Sequence, residues 1–378
     1  MIYADFNATY PCQDSHLDMV SKTLKKVQGN PSSMHQSGRV ARLALEESRT
    51  HIAELLGCDR KQIIFTSGAT EANNLAIHAN FREGSSTRQE LIITGGEHPS
   101  VRQPAIRLEK DGYCQLHTIS LTRAGTVDVH ALLEQISPRT KMICIIYGNN
   151  ETGIINPVRT LIPEIRERSA TAHIHVDGVQ AFGKVDTQWL GGVSGPDSFA
   201  ASAHKIGGFK GIGFLFLRQP ARIQPMLSGG GQESGLRSGT ENIPGIISLG
   251  LRAKDILSRP DWLAPAKAVR DHLLQGLLKL PSVNIHGDYK DDAINLGNTV
   301  NFHLDGVAGE SLMAHFDLAN ICVSGGSACS SGLASPSPVL LSMGFHESIA
   351  ASSVRVSFGD SSTKKDADAI LTVIRSLL

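Results

Sequence analysis

The sequence has few of the features that would tie it to a membrane or lock it with disulfides. No stretch approaches the roughly 18 apolar residues of a membrane span. The opening residues, Met1-Ile2-Tyr3-Ala4-Asp5, lack the basic region and apolar run of a secretory leader. The six cysteines, at 12, 58, 114, 144, 322 and 329, form no CxxC pair, which argues against a disulfide framework and against a common metal site. A reduced, cytoplasmic protein is expected, with no bound metal. An excess of one charge is also missing. Lys plus Arg and Asp plus Glu are equal at 36 each, so neither a membrane surface nor direct nucleic-acid binding is expected. Repeats and low-complexity segments are absent as well.

What the chain does have is length and glycine. Its 378 residues leave room for two domains and a large core. The 37 glycines exceed the average share of about 7%, and several follow apolar runs, where backbone must approach a ligand closely.

Helical periods alternate with short apolar runs from about residue 40. Strands are expected at 62–65, 91–94, 114–119, 142–147, 173–176, 198–202 and 212–217. Helices are expected at 41–56, 71–80, 129–136 and 161–168. This alternation implies an α/β fold with a mainly parallel sheet covered on both faces, and ligands on such sheets gather at the carboxyl ends of strands. Near residue 255 the rhythm changes. A smaller α+β domain is expected there, with a helix at 266–280, strands near 299–304 and 354–358, and a closing helix from 364. The expected division is a large domain over 14–254 and a small one built from 1–13 and 255–378.

Three short runs carry chemistry. In Phe65-Thr66-Ser67-Gly68-Ala69-Thr70-Glu71 a strand enters a small-residue turn and opens a helix, a geometry that suits a phosphate or an ordinary capped turn. Asp177, ending the apolar run Ile174-His175-Val176, needs a positive partner: a protonated pyridine nitrogen, a helix end or a metal would each serve. Lys205 follows a small-residue strand and precedes Gly207-Gly208. A lysine there is either a surface charge or, in a cleft, a Schiff-base amine. Their order, phosphate turn, then strand-end Asp, then strand-end Lys, favours a pyridoxal-phosphate site. Cys144, within a strand-like apolar run, reads as an inert core thiol.

With those runs in place, the chain resembles the cysteine desulfurases of the class V aminotransferase group, enzymes of pyridoxal-phosphate fold type I. The resemblance runs from Tyr3 to about Gly359. It rests on YADFNATYP (3–11), GNPSSMHQSG (29–38), FTSGATEANNLA (65–76), GEHPSV (96–101), NNETG (149–153), HVDGVQAFGK (175–184), SAHKIGGFKGIG (202–213), GGGQESGLRSGTEN (229–242), SGGSACSSG (324–332) and VRVSFG (354–359). The fold it implies has a seven-stranded sheet in the large domain. The cofactor it implies is pyridoxal 5'-phosphate, joined to Lys205. Ala69, Thr70, Ser202 and His204 would hold its phosphate, and Thr240 would reach the phosphate of a second subunit, making a homodimer. His98 would stack on the ring and move protons, Asn150 and Gln180 would bond the ring oxygen, and Asp177 would pair with the ring nitrogen. Arg355 would grip the carboxylate of L-cysteine with a bidentate pair, assisted by Asn30.

Cys329 would take the sulfur as a persulfide and pass it to an acceptor protein, a cluster scaffold or a thiolation enzyme. Its small polar neighbours, Gly326-Ser327-Ala328 and Ser330-Ser331-Gly332, are those of a loop. Three positions depart from the family pattern: Tyr10 where a second Thr is usual, Phe209 where Pro is, and Ser234 where Arg is.

Overall fold

The structure is a computed structural model that describes residues 1–81, 89–220, 223–291, 294–325 and 335–378. In chain order the strands are β1 (Ile2–Tyr3), β2 (Ile63–Thr66), β3 (Gln89–Thr94), β4 (Cys114–Ile119), β5 (Thr140–Ile146), β6 (His173–Asp177) and β7 (Ser198–Ser202). They continue with β8 (Gly213–Leu217), β9 (Val283–Ile285), β10 (Thr299–Leu304), β11 (Ile321–Cys322), β12 (Ser324–Gly325) and β13 (Val354–Ser357). The helices up to the second sheet are α1 (Asp14–Leu24), α2 (Gln36–Leu56), α3 (Ala69–His78), α4 (Pro99–Lys110), α5 (Val129–Gln135), α6 (Val158–Arg168), α7 (Ile243–Ser258) and α8 (Ala264–Leu277). The remainder are α9 (Gly309–Leu318), α10 (Pro338–Ser342), α11 (Glu347–Ser352) and α12 (Lys364–Arg375).

Seven strands form the large sheet in the order β2-β8-β7-β6-β5-β3-β4. The pairs among β3 to β7 are parallel, and β8 runs antiparallel to both β2 and β7. Consecutive residues of its strands enter different cores. Ile63 and Phe65 join one apolar cluster and Ile64 the other; Ile143 and Ile145 oppose Met142 and Cys144. Burial on both faces explains why these strands read as unbroken apolar runs. Cys144 is fully buried, and burial raises its thiol well above the ordinary range, so it stays protonated and inert.

Helix limits follow from local chemistry. The His35 side chain accepts the Gly38 amide at the start of α2, and Gly57, at φ +60°, ends it in the left-handed conformation. Along α2, Ala41, Leu45, Ile52 and Leu56 turn one buried face toward α7.

A second, antiparallel sheet has the order β12-β13-β10-β9. The first ten residues link the two sheets. β1 pairs in parallel with β11, Phe6 N donates to Ser357 O, and Tyr10 N donates to His204 O. This path brings Asp5, Asn7 and Ala8 to the carboxyl edge of the large sheet. Among the described residues no helix is long and apolar enough to cross a membrane.

Candidate active site

Ala69, Thr70, His98, Asn150, Asp177 and Lys205 lie where parallel sheets place ligands, beyond the carboxyl ends of the strands. β2 leads into α3, β3 into His98, β5 into Asn150, β6 ends on Asp177, and β7 leads into the tight turn Ala203–Lys205. Gly207, at φ +87°, turns the chain behind Lys205, and a Cβ there would stand 3.4 Å from the Tyr10 ring.

One end of this group is built from α3 and β7. Gly68 caps α3 with no side-chain bond, so the first-turn N–H groups, including those of Ala69 and Thr70, are offered outward. Ser202 Oγ lies 3.9 Å from where a Gly68 Cβ would sit. His204 Nδ1 is 3.2 Å from Thr9 Oγ1, and burial followed by the charges of Lys205, Lys210 and Lys184 pushes its ring down to about 4. His204 is therefore a neutral hydrogen-bonding group at neutral pH. Thr240 is exposed on this subunit. Its neighbour Arg237 pairs with Glu71 at 2.9 Å, and Glu71 accepts the Ser67 amide at 2.8 Å, which ties the loop before α7 to the phosphate turn.

Asp177 is 2% exposed. Burial raises its carboxyl, while His98, the Val179 amide, Asn73 and Lys205 oppose that rise. Asn73 Nδ2 donates to it at 2.9 Å. From Asn73 a buried chain runs on through His175 (2.9 Å) and Ser198 (2.8 Å) to His173 (2.7 Å). Burial keeps His175 neutral, at about 3. Sequence reasoning gave Asn73 and His175 no role, although both lie in quoted motifs.

His98 caps α4: its Nδ1 accepts the Ser100 amide at 3.1 Å, so the neutral ring carries its proton on Nε2. Burial is the main cause lowering its pKa, Lys205 and Arg102 add to the fall, and Asp177 opposes it.

Beside it, Glu97 is a second buried carboxyl. Its Oε1 accepts from Thr94 Oγ1 and from the Ile146 amide, both at 2.6 Å, while Oε2 has no partner among the described residues. Burial, reinforced by Asp177, pushes it up to about 8 from 4.5. Between those two pH values the native state holds a proton that the unfolded chain has lost. Stability therefore falls as pH rises through that window, by up to about 1.4 kcal/mol per pH unit, and the cost is constant above it. We expect Glu97→Gln to gain stability over the parent at pH 9 relative to pH 5. Urea midpoints at the two pH values check this, and an unchanged difference would disprove it.

Lys205 Nζ donates to Asn7 O (2.7 Å) and Ala8 O (2.8 Å). Asn7 is the hub that sequence reasoning missed. Besides Lys205, its carbonyl accepts Gln180 Nε2 at 2.9 Å. Its Nδ2 reaches Asn150 O (3.2 Å) and Thr299 Oγ1 (2.8 Å), and its own amide meets Ser357 Oγ (2.9 Å). Asn150 enters this network through its backbone oxygen.

Arg355, 2% exposed, donates through Nη1 to Asn150 O at 3.0 Å and through Nη2 to Asp5 at 2.6 Å; its buried Nε has no partner among the described residues. It thus already holds one carboxylate, that of Asp5, and offers a further carboxylate the unpaired Nε–H. Asn30 is exposed; its Oδ1 turns back to the Ser32 amide at 2.8 Å, and no hydrogen bond joins it to Arg355. Cys329 lies outside the described residues.

The three departures have defined places. Tyr10 is buried, its hydroxyl 2.6 Å from Asp360 Oδ1 and its ring against Phe6 and Trp262. Phe209 turns toward α1 and lines a groove with Leu17, Val20 and Leu24. Ser234 adopts the left-handed region at φ 58° beside the buried Arg49–Glu233 ion pair.

The donor set fits a phosphorylated pyridine aldehyde. An uncapped helix start suits the phosphate, a buried carboxylate suits a protonated ring nitrogen, and the Lys205 amine is close enough for its charge to act on that carboxylate. The Arg355 Nε, without a partner among the described residues, adds a buried donor for an anionic substrate.

The sequence profile of the aminotransferase class-V family matches residues 2–370, and the chain belongs to that family of pyridoxal-phosphate enzymes. Within it, a cysteine desulfurase of Nostoc sp. is 35% identical over 380 residues, covering all of this chain and 93% of that one. A solved NifS-like protein superposes with a TM-score of 0.90 at 29% identity, covering 100% of both chains. A solved SspA in complex with cysteine gives a TM-score of 0.82 at 27% identity, covering 96% of this chain and 100% of that one.

Proposed function

We propose that the protein is a cysteine desulfurase that converts L-cysteine to L-alanine and carries the sulfur on Cys329. One observation supports this above the rest: Lys205, Asp177 and His98 meet at one strand edge in a chain alike over its whole length to a cysteine desulfurase.

Bound pyridoxal 5'-phosphate would supply an electron sink for charge developing at the substrate Cα. Ala69, Thr70, Ser202 and His204 would hold its phosphate, and Asp177 its ring nitrogen. Asn150 and Gln180 would bond its ring oxygen. Lys205, its amine seated at the Asn7 and Ala8 carbonyls, would anchor it covalently and would be the amine that the substrate's amine replaces. Arg355, with Asn30, orients the substrate carboxylate, and Arg355 does so through the Nε–H that Asp5 leaves unused. His98, neutral and protonated on Nε2, moves protons at the substrate. The Cys329 thiolate attacks the substrate sulfur; an S–S bond forms as the Cβ–S bond breaks, and a proton takes the place of sulfur at Cβ. The product persulfide then passes to an acceptor protein serving iron–sulfur cluster assembly or nucleic-acid thiolation, in a reducing cytoplasm.

Incubation with cysteine, cofactor and a thiol reductant should yield alanine and sulfide in equal amounts. Pyruvate and ammonia would instead identify a β-eliminating lyase, and transfer of the amino group an aminotransferase.

The working unit is a homodimer in which Thr240 serves the second subunit, and each subunit divides into a large domain (14–254) and a small one (1–13 and 255–378). Mixing Lys205→Ala with Thr240→Val chains should restore one intact site per heterodimer. Proven subunit exchange with no recovered activity would disprove the shared site.

A further inference from the structure

Lys184 is a buried-side amine that the reaction as described does not use. It sits one turn beyond Gln180, in a segment where Phe182 N bonds Gly178 O and Val185 N bonds Ala181 O. Residues four apart in such a turn share one face. Lys184 Nζ donates to Gln180 Oε1 at 2.7 Å. The other end of the same amide, Gln180 Nε2, donates to Asn7 O at 2.9 Å, and Lys205 Nζ donates to that same carbonyl at 2.7 Å. A carbonyl only accepts, so nitrogen is the Gln180 atom at Asn7 and oxygen the atom at Lys184. An amide nitrogen carries two N–H bonds, and Asn7 takes one. The second is left for another acceptor.

We propose that Lys184 is a positioning residue: by holding the Gln180 oxygen it keeps the Gln180 nitrogen turned toward the cofactor and the Asn7 carbonyl that seats Lys205. This rests on the desulfurase reading above and assigns Lys184 a place in it. Lys184 donates to Gln180 whether charged or neutral, so the arrangement survives titration of its amine. That matters because burial, then the charges of Lys205 and Arg355, push the amine down to about 7.

The test uses the full-length protein loaded with pyridoxal 5'-phosphate, reading the cofactor dissociation constant and the pH midpoint of its visible absorption. Asp177, His98, His204, Lys205 and Arg355 face the same site and stay unchanged. Lys184→Met should weaken cofactor binding about three- to tenfold, the scale of one lost hydrogen bond, and raise the midpoint. Lys184→Glu, which offers an acceptor to an amide oxygen, should do more, and Lys184→Arg should restore the parent values. In a Gln180→Ala or Gln180→Met background, Lys184→Met should add nothing. An equal shift in those backgrounds, or no shift in the parent, overturns the proposal. A parent protein that takes up no cofactor overturns the desulfurase reading together with it.

Discussion

Lys205→Ala should lower alanine formation from cysteine on the order of a thousandfold or more, the scale for removing a group that acts covalently and in proton transfer. The substitution should also abolish covalent capture of the cofactor by borohydride. The physical reason lies in the seat of the amine. Lys205 follows a five-residue strand with no exposed side chain and is held at 2.7 and 2.8 Å by the carbonyls of Asn7 and Ala8. No other lysine has that seat. Lys184 is engaged with Gln180. Borohydride labelling of Lys184 or Lys210 in the parent protein would refute the assignment.

Cys329→Ser should retain the cofactor and still change the visible spectrum when cysteine is added, because neither step uses the thiol. Sulfide and alanine release should fall on the order of a hundredfold or more. A serine hydroxyl is not ionised at neutral pH and has no counterpart of thiol–disulfide exchange. The other cysteines make poor substitutes. Cys144 is sealed in the core and Cys58 is pushed up to about 12 by burial. Normal turnover by the serine variant would end the sulfur-carrier role.

Much of this architecture is written locally in the chain. β7 and β10 fall where the sequence indicates strands, and every residue of both is buried, the polar Ser198, Ser202, Thr299, Asn301 and His303 included. Lys205, Asp177 and the α3 turn are legible because each interrupts or ends such a run with the wrong chemistry for a core. α7 is harder to read. Its Pro244, Gly245 and Gly250 mimic a loop, yet a Cβ on Gly250 would stand 2.4 Å from the Ser48 Cβ, so the glycine serves close packing of two helices. What sequence could not show is the partnering of distant polar groups. Asn7 meets Lys205 across 198 positions and Asn73 meets Asp177 across 104, and nothing in either local pattern specifies the bond. The Arg355–Asp5 pair, 350 positions apart, likewise replaces the simple picture of a free guanidinium awaiting substrate.

Sulfur that leaves cysteine by way of Cys329 must pass through a persulfide on that residue. The direct measurement is the mass of the peptide that contains Cys329 after the enzyme is exposed to cysteine and then alkylated without reductant. One additional sulfur atom is expected on Cys329 itself, formed in the parent and absent in Lys205→Ala. Additional sulfur on Cys322 or Cys12 instead, or none anywhere while alanine accumulates, would contradict it.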